Sequence, residues 1–483
     1  MADYFERYLG QVKWTLPALF IIGYSLTFRT FYDNPLEYFS YNLLAAVSCT
    51  ILLLHIRLFD QNLVAVWVAF ILFIFLYFVR FYWITIDPTP VRDMLPRLQY
   101  KAMVESQVSQ LRAFKLSVLA FAGFSWSTAA LLSYTKRKNA GNDQFFESTD
   151  STVSGTLARP MLFATTLLAL ALAYFTYKYN IGEMGASSGD ALPFRLKGLI
   201  FYAKTVFIPL AILLSIYLAE RCGDLTISRL GMSVLVMNGV VDMMLRSSRS
   251  GLLLSLVLLV FLMLADGIRL RRKEKLIFTV LLTLALIMVP FMTDYRYIRM
   301  NSGLSHLETF FGALDLAKNK ELKELFKGIQ FVMFRMPGVE SLWCMIASSA
   351  EPLGIHSLEI LNSQNGIARY LTSTIYPIKA SDNTLLAPGF IGWFYLVAGW
   401  PAIVAGAGLT GILSAQAWIF LSRRYLVTGP VAKVFFLWML FMALTEGTLD
   451  GMFWMFFVGM ATIVTLEAGM RFHKKIRAYR APP

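Results

Sequence analysis

The sequence predicts an all-α polytopic membrane protein, and three observations support that fold class. Of its 483 residues, 57% are hydrophobic and only 15% are charged, whereas charged residues form about a quarter of an average soluble domain. Apolar runs of about 20 residues, the length that crosses the hydrocarbon core as a helix, recur from one end of the chain to the other. The runs are continuous instead of alternating with polar residues, which excludes a transmembrane barrel.

These runs predict about twelve transmembrane helices, with their ends placed to within several residues. The stretch 388–421 is long for one crossing, and Pro401 is expected to divide it into a shallow helix at 389–400 and a full span. The predicted spans are 14–28, 39–56, 63–83, 111–134, 160–177, 198–219, 229–245, 251–267, 276–292, 388–421, 431–446 and 452–469.

Basic residues in the loops predict the direction of the spans. Clusters at 135–138, 269–275, 423–424 and 471–477 all fall on one side of a twelve-span topology. Because cytoplasmic loops are enriched in lysine and arginine, both termini are expected in the cytoplasm. The formal net charge of +14 then reflects topology and contact with anionic lipid headgroups, and no nucleic-acid partner is expected.

The same topology divides the chain into three parts. Residues 1–292 would form transmembrane helices 1–9, and residues 388–483 would form helices 10–12 with a basic cytoplasmic tail. Between them, residues 293–387 are too many for a simple connector and predict a folded cap loop on the outer, periplasmic face. The segments 84–110 and 246–250 are expected on that face as well.

Two pairs of arginines are predicted at the outer ends of spans. Arg246 and Arg249 stand three residues apart in one turn, so on a helical end they would share one face. Arg296 and Arg299 repeat that spacing next to Tyr295. Positive charge is disfavoured on this side and guanidinium groups suit phosphate oxygens, so one interpretation is a site for a multiply charged anion. Anchoring to lipid headgroups is the alternative.

Polar residues in the cap and just after it are further candidates. Arg335 and Glu340 flank a Pro-Gly turn, where a salt bridge that fastens the loop is favoured over a catalytic role. Asp382 and Asn383 stand where the chain returns to the membrane. They could receive sugar hydroxyls or orient an acceptor, and a plain turn is the alternative.

Candidate general bases are the histidines and carboxylates of the outer face. His306 and His356 both lie in the predicted cap, and imidazole is basic near neutral pH. Glu340 and Asp382 are rival bases. The sequence contains no Walker loop, HExxH, GxSxG or His/Cys metal cluster, so neither a metal nor a cofactor is predicted.

Four short motifs stand in the second half of the chain. They are the turn RSSRSGLL, the arginine-bearing span end before the long outer loop, the segment RMPGVE, and the re-entry N-x-x-x-x-P-G-x-x-G-x-x-Y from Asn383 to Tyr395. Together they resemble the Wzy-type O-antigen polymerase or oligosaccharide repeat-unit polymerase family over residues 229–469. The resemblance implies a GT-C-like fold, a relation to O-antigen ligases and a location in the bacterial inner membrane.

This resemblance implies a function and its residues. The expected enzyme is a metal-independent glycosyltransferase that joins repeat units carried on undecaprenyl pyrophosphate into O-antigen, capsule or exopolysaccharide at the periplasmic face. Its base would be a residue of the cap, and the cap histidine of the related ligases points to His306 or His356. The residues expected to bind pyrophosphate or glycan are Arg246, Arg249, Arg296, Arg299, Arg335, Tyr295, Asn383 and Tyr395.

Three other functions stay open. An O-antigen ligase-type glycan transferase uses the same chemistry, whereas a lipid-linked glycan transporter or flippase, or an assembly scaffold, would be no enzyme. A transporter is expected to have pseudo-symmetric halves and polar residues at mid-membrane. This chain has one lopsided outer loop and few charged residues in its spans, mainly Lys204 and Asp242. Expected partners are membrane lipids, a chain-length regulator and other polysaccharide-assembly proteins.

Overall fold

The computed structural model describes most of the chain. It covers residues 15–58, 63–89, 106–139, 155–182, 196–247, 250–266, 271–302, 304–318, 338–348, 350–356, 360, 366–371, 388–423, 427–447 and 449–480. Within these ranges the regular structure is helical and contains no strand. The predicted all-α class is confirmed for this part of the chain.

The helices are labelled in chain order. They are α1 (Leu16–Thr27), α2 (Pro35–Leu58), α3 (Val64–Ile86), α4 (Gln107–Asn139), α5 (Gly155–Lys178), α6 (Leu196–Arg221), α7 (Leu225–Leu245), α8 (Ser250–Asp266), α9 (Arg272–Ser302), α10 (His306–Lys318), α11 (Val339–Ala347), α12 (Gly366–Tyr370), α13 (Phe390–Arg423), α14 (Gly429–Glu446) and α15 (Leu449–Arg480). Two of them contain a π-helical stretch, Ile74–Val79 in α3 and Ala203–Phe207 in α6.

Nine helices of the described part of the chain are long and apolar enough to cross a membrane. They are α2 to α7 and α13 to α15, and each coincides with a predicted span. Helices α1 and α8 are apolar but shorter, and α9 contains the ninth predicted span. The described part of the chain is thus all-α, with several candidate membrane crossings. The count of twelve and the GT-C-like arrangement stay predictions.

Helix α13 contains the predicted interruption, slightly earlier than Pro401 itself. The backbone leaves helical geometry at Ala398 (φ −152°, ψ 25°) and Gly399 (φ 71°, ψ −152°), and Pro401 begins the part that follows. Gly399 occupies a backbone region that is essentially restricted to glycine. The kink therefore depends on the glycine as well as on the proline.

Small residues allow α4 and α13 to pack closely. Helix α4 also contacts α2 and α11. A β-carbon at Gly123 would lie 2.8 Å from the Val404 carbonyl, and one at Gly411 would lie 2.6 Å from the Phe124 carbonyl. Such close backbone contact is typical of helix pairs in membranes. Buried aromatic rings fill the space beside this pair, among them Phe73 and Phe121.

Contacts between helix ends establish the relative direction of α7 and α9. Near their starts, Arg229 of α7 pairs with Glu274 of α9 at 2.9 Å. Near their ends, Arg296 of α9 donates to the carbonyl of Ser247, which follows α7. The two helices are therefore parallel, as alternate spans of the predicted topology should be. Which end faces the cytoplasm stays a prediction.

Helix α9 continues beyond the predicted boundary between the ninth span and the cap. The boundary was expected at residue 293, but the helix runs without interruption to Ser302. The segment that carries Tyr295, Arg296 and Arg299 is therefore a continuation of the span helix. A helical extension holds these side chains at fixed positions relative to the bundle.

Candidate functional site

Helix α9 carries two of the predicted arginines to one end of the bundle. Arg296 and Arg299 stand near its C-terminus, three residues apart, so they lie on one side of the helix. The Nε of Arg296 donates to the Ser247 carbonyl at 3.3 Å, and Arg299 donates to the Leu304 carbonyl. The contact with Ser247 joins the two arginine segments that the sequence predicts on one membrane face.

The turn after α7 differs from the prediction. Helix α7 ends at Leu245, Arg246 follows as its cap, and Ser247 has a φ of 51°. An α-helix cannot continue through a residue in this left-handed region. The helical face expected to hold both Arg246 and Arg249 therefore ends at Arg246, and Arg249 lies outside the described residues.

A buried carboxylate holds two cations beside this turn. Asp242 of α7 accepts a 2.9 Å hydrogen bond from Arg246, and its other oxygen lies 3.1 Å from the ammonium of Lys204. Lys204, with a side chain only 2% exposed, stands in the π-helical stretch of α6. One carboxylate thus balances two cations, and this triad carries an excess positive charge. The sequence shows Lys204 and Asp242 as the main charged residues within the predicted spans, but their spacing does not predict that they pair.

The Arg246 side chain is also held by a ring. Its guanidinium lies 4.5 Å from the ring centroid of Phe201 on α6, a distance typical of a cation–π contact. The carboxylate of Asp242 and this ring together fix the orientation of the guanidinium. A guanidinium fixed in this way binds an anion without first losing side-chain freedom.

The predicted base His306 is held in place from two sides. It is the first residue of α10, and its Nδ1 lies 2.6 Å from the hydroxyl of Tyr295, a fully buried residue of α9. Ser305 and Glu308 form a capping box at the start of α10: the Glu308 carboxylate accepts from the Ser305 amide and hydroxyl, and the Ser305 hydroxyl accepts from the Glu308 amide. The two hydrogen bonds from Ser305 to the carboxylate hold the pKa of Glu308 below its usual value.

An open cavity of about 420 Å³ lies in front of His306. Its lining includes Tyr177, Lys178, Asn180, Arg299, Ser305 and His306. The cavity thus combines two cationic side chains, an imidazole, an amide and aromatic rings. That set of groups suits a ligand with both a phosphate and a sugar, because cations bind the phosphate and the polar and ring groups bind sugar hydroxyls and faces.

The turn at 179–182 connects this cavity to the arginine of α7. Asn180 lines the cavity, and a β-carbon at Gly182 would lie 3.2 Å from the Nε of Arg246. We call the group formed by Lys178, Arg246, Arg296, Arg299 and His306 the cationic site. Sequence reasoning missed Lys178, although the run Tyr-Phe-Thr-Tyr-Lys-Tyr-Asn at 174–180 is an aromatic and basic span end that could have indicated it.

Glu340, predicted as a candidate base and as the salt-bridge partner of Arg335, pairs with Arg80 among the described residues. Its carboxylate accepts from Arg80 of α3 at 2.8 Å and from the amide of Gly338 at 2.9 Å. Both charged side chains are buried, and Glu340 does not line the cavity. The pair attaches α11 to α3, which is a structural role. Arg335 lies outside the described residues.

Two more predicted site residues are separate from the cavity. Tyr395 is buried, and its hydroxyl donates to the Ala350 carbonyl at 3.0 Å. His356 is exposed on a short turn, Gly354–His356, that packs beside α13. Neither residue belongs to the lining that contains His306. Within the described part of the chain, His306 lines a cavity together with the predicted Arg299.

Two further predicted site residues have no described position, and the described residues form no candidate metal site. Asp382 and Asn383 lie outside the described residues. Within the ranges that the structure describes, no three His, Cys, Asp or Glu side chains group as a metal site would require. No protein-family model matches the chain, and neither a curated protein nor a solved structure is significantly similar to it.

Proposed function

We propose that this chain is a polymerase that joins undecaprenyl-pyrophosphate-linked oligosaccharide units into a surface polysaccharide at the periplasmic face of the bacterial inner membrane. The observation that carries the proposal is the contact between Arg296 and Ser247, because it brings the two arginine segments of the resemblance together. Lys178, Arg299 and His306 line one cavity beside them. The short motifs named above supply the substrate class.

In this proposal the cations of the site bind the pyrophosphate of the donor. Arg246 and Arg296 act at the level where the α7 turn meets α9, and Lys178 and Arg299 act in the adjoining cavity. Positive groups that are already fixed stabilise the charge that develops on a leaving pyrophosphate at little cost in reorganisation. The Asp242 carboxylate orients Arg246 without cancelling the charge of the site, because Lys204 also pairs with it.

His306 is the proposed general base. In the tautomer that donates the Nδ1 proton to the Tyr295 hydroxyl, whose oxygen lies 2.6 Å away, Nε2 is the basic atom of the ring. It takes the proton of an acceptor hydroxyl as that oxygen attacks the anomeric carbon of the donor glycan. The bond from the anomeric carbon to the pyrophosphate oxygen breaks, and undecaprenyl pyrophosphate leaves with the electron pair. The glycan is thereby extended by one transfer.

The gel pattern of the surface glycan from a deletion strain tests the reaction class. Loss of a polymerase leaves single capped units, loss of a ligase leaves free lipid-linked polymer, and loss of a flippase leaves little glycan outside. We expect single units, with long chains restored by the wild-type chain. The His306→Ala variant should not restore them, since a general base contributes about 100-fold or more to the rate.

A matched variant separates loss of the base from loss of the fold. His473→Ala changes a histidine near the end of α15, at the other end of the predicted topology, and it should restore long chains. Long chains from both variants would refute the role of His306. Accumulated lipid-linked polymer in the deletion strain would refute the polymerase and favour a ligase.

A further inference from the structure

A second cavity lies where α1, α2 and α4 meet, and it shares no lining residue with the cationic site. Its volume is about 430 Å³, within the range of small-ligand cavities. Asp33 in the turn before α2 and Glu37 in the first turn of α2 form one wall, and the first turns of α4 form the other with Arg112 and Lys115. Nothing in the proposed polymerase reaction uses this cavity.

The four charges of the cavity are balanced, but they are not all paired with each other. Glu37 forms an ion pair with Lys115, whose ammonium also lies 5.7 Å from the ring centroid of Tyr41. The side chains of Asp33 and Arg112 have no hydrogen bond or ion pair with any residue that the structure describes. One carboxylate and one guanidinium thus face the same space. A neutral cavity with both charges suits a zwitterion better than a simple anion.

An apolar stripe on α2 begins at the edge of this cavity. Leu36, Phe39, Leu43 and Val47 are exposed, the first of them by 82%. Their spacing of three and four residues places them on one face of the helix. Leu36 directly precedes the lining residue Glu37, and the other three follow it along α2 in the predicted direction of the membrane interior. In a bilayer this face contacts acyl chains, so a ligand with its polar end in the cavity has room for an apolar tail along α2.

We propose that this cavity binds the headgroup of a phosphoethanolamine-type phospholipid. The primary ammonium of the lipid contacts Asp33, its phosphate contacts Arg112, and one acyl chain lies along the stripe from Leu36 to Val47. Charge-assisted hydrogen bonds form at both ends of the headgroup. A phosphatidylglycerol headgroup lacks the ammonium, and a phosphatidylcholine headgroup has an ammonium without N–H donors, so both bind more weakly here.

Titration of the detergent-purified full chain with short-chain lipids, followed by native mass spectrometry, tests this site. The probes are dioctanoyl phosphatidylethanolamine, phosphatidylcholine and phosphatidylglycerol. The wild-type chain should bind the ethanolamine lipid best. Asp33→Asn should weaken the binding of that lipid about tenfold, the effect of losing one charge-assisted hydrogen bond. Its binding should then equal that of phosphatidylcholine. Arg112→Gln should weaken all three lipids, because each has a phosphate.

Two exposed residues supply matched controls. Asp315→Asn on α10 and Arg159→Gln on α5 make the same chemical changes elsewhere on the surface, and both should leave the lipid order unchanged. Equal binding of the ethanolamine and glycerol lipids to the wild-type chain would overturn the proposal. So would Asp33→Asn and Arg112→Gln variants that bind the ethanolamine lipid as tightly as the wild type.

Discussion

Asp242 is the residue on which the charge balance of the cationic site depends. Its two oxygens contact Lys204 and Arg246, and both cations are largely removed from solvent. In a region of low dielectric, like charges repel strongly when no opposite charge lies between them. Asp242 therefore makes it possible to hold Lys204 close to Arg246 of the cationic site.

Replacing this carboxylate should destabilise the protein. Asp242→Asn leaves two buried cations without their counter-ion, and breaking such a pair costs about 3 kcal/mol or more. The thermal unfolding temperature of the detergent-purified chain measures the loss. Adding Lys204→Met should recover part of it by removing one unpaired cation, and Asp315→Asn on the exposed face of α10 serves as the control. An unfolding temperature unchanged in Asp242→Asn would show that the carboxylate is not needed.

The sequence predicts several charged residues of the site, but it does not predict the residues that they contact. Arg296 and Arg299 were predicted at one membrane end, and the contact with Ser247 brings them to the other arginine segment. The partner of Glu340 was not predicted, because Arg80 lies 260 positions away in an apolar run. Spacing predicts contacts within one helix, while a contact between distant helices depends on how the bundle packs.

The break in α13 requires a glycine at position 399 in addition to the proline at position 401. The φ of 71° and ψ of −152° at Gly399 belong to a region where any β-carbon clashes with the backbone. The space is restricted as well, since a β-carbon there would lie 3.2 Å from Pro352. The change of direction thus depends on the absence of a side chain at position 399.

Adding a methyl group at this position should be costly. We expect Gly399→Ala to lower the free energy of unfolding by about 1–3 kcal/mol, the usual cost of a strained backbone position. Thermal unfolding of the purified chain measures it. Gly469→Ala is the matched control. Gly469 lies inside α15, and no atom lies within 4 Å of the position that a β-carbon would take. Alanine there should therefore be neutral or slightly stabilising. Equal unfolding temperatures of the two variants would contradict the role of Gly399.

Helices were easier to predict than their irregularities. Long apolar runs indicated the candidate spans, because a lipid-exposed segment has to close its own backbone hydrogen bonds, and Pro401 indicated the break in α13. The π-helical stretches of α3 and α6 were not predicted. They add one residue to a turn without a compositional signal, yet Lys204 stands inside one and Arg80 directly follows the other.

The proposed polymerase requires the cationic site on the outer face of the membrane. Cys222, which is exposed, lies in the turn between α6 and α7, and Ser302 lies at the other end of the bundle, where α9 ends. The basic clusters predict that the end with Cys222 is cytoplasmic. The two positions should therefore lie on opposite sides of the membrane.

Labelling with a membrane-impermeant maleimide tests this orientation. In intact spheroplasts, a cysteine at Ser302→Cys should react, whereas Cys222 should react only after the membrane is opened. Cys49 and Cys344 are buried and should give little background. If Cys222 were labelled before permeabilisation and position 302 only after it, the topology would be the inverse of the predicted one. The cationic site would then face the cytoplasm.

Chain extension by the purified chain in vesicles tests the proposed polymerase activity most directly. Undecaprenyl-pyrophosphate-linked repeat units are the only glycan supplied, and gel analysis follows the product length. We expect a ladder of products from the wild-type chain and from the control Arg159→Gln. Arg296→Gln should be slower by about 100-fold, the effect of losing one fixed donor to the leaving group. If Arg296→Gln formed the ladder at the wild-type rate, the proposed role of Arg296 in stabilising the leaving pyrophosphate would be wrong.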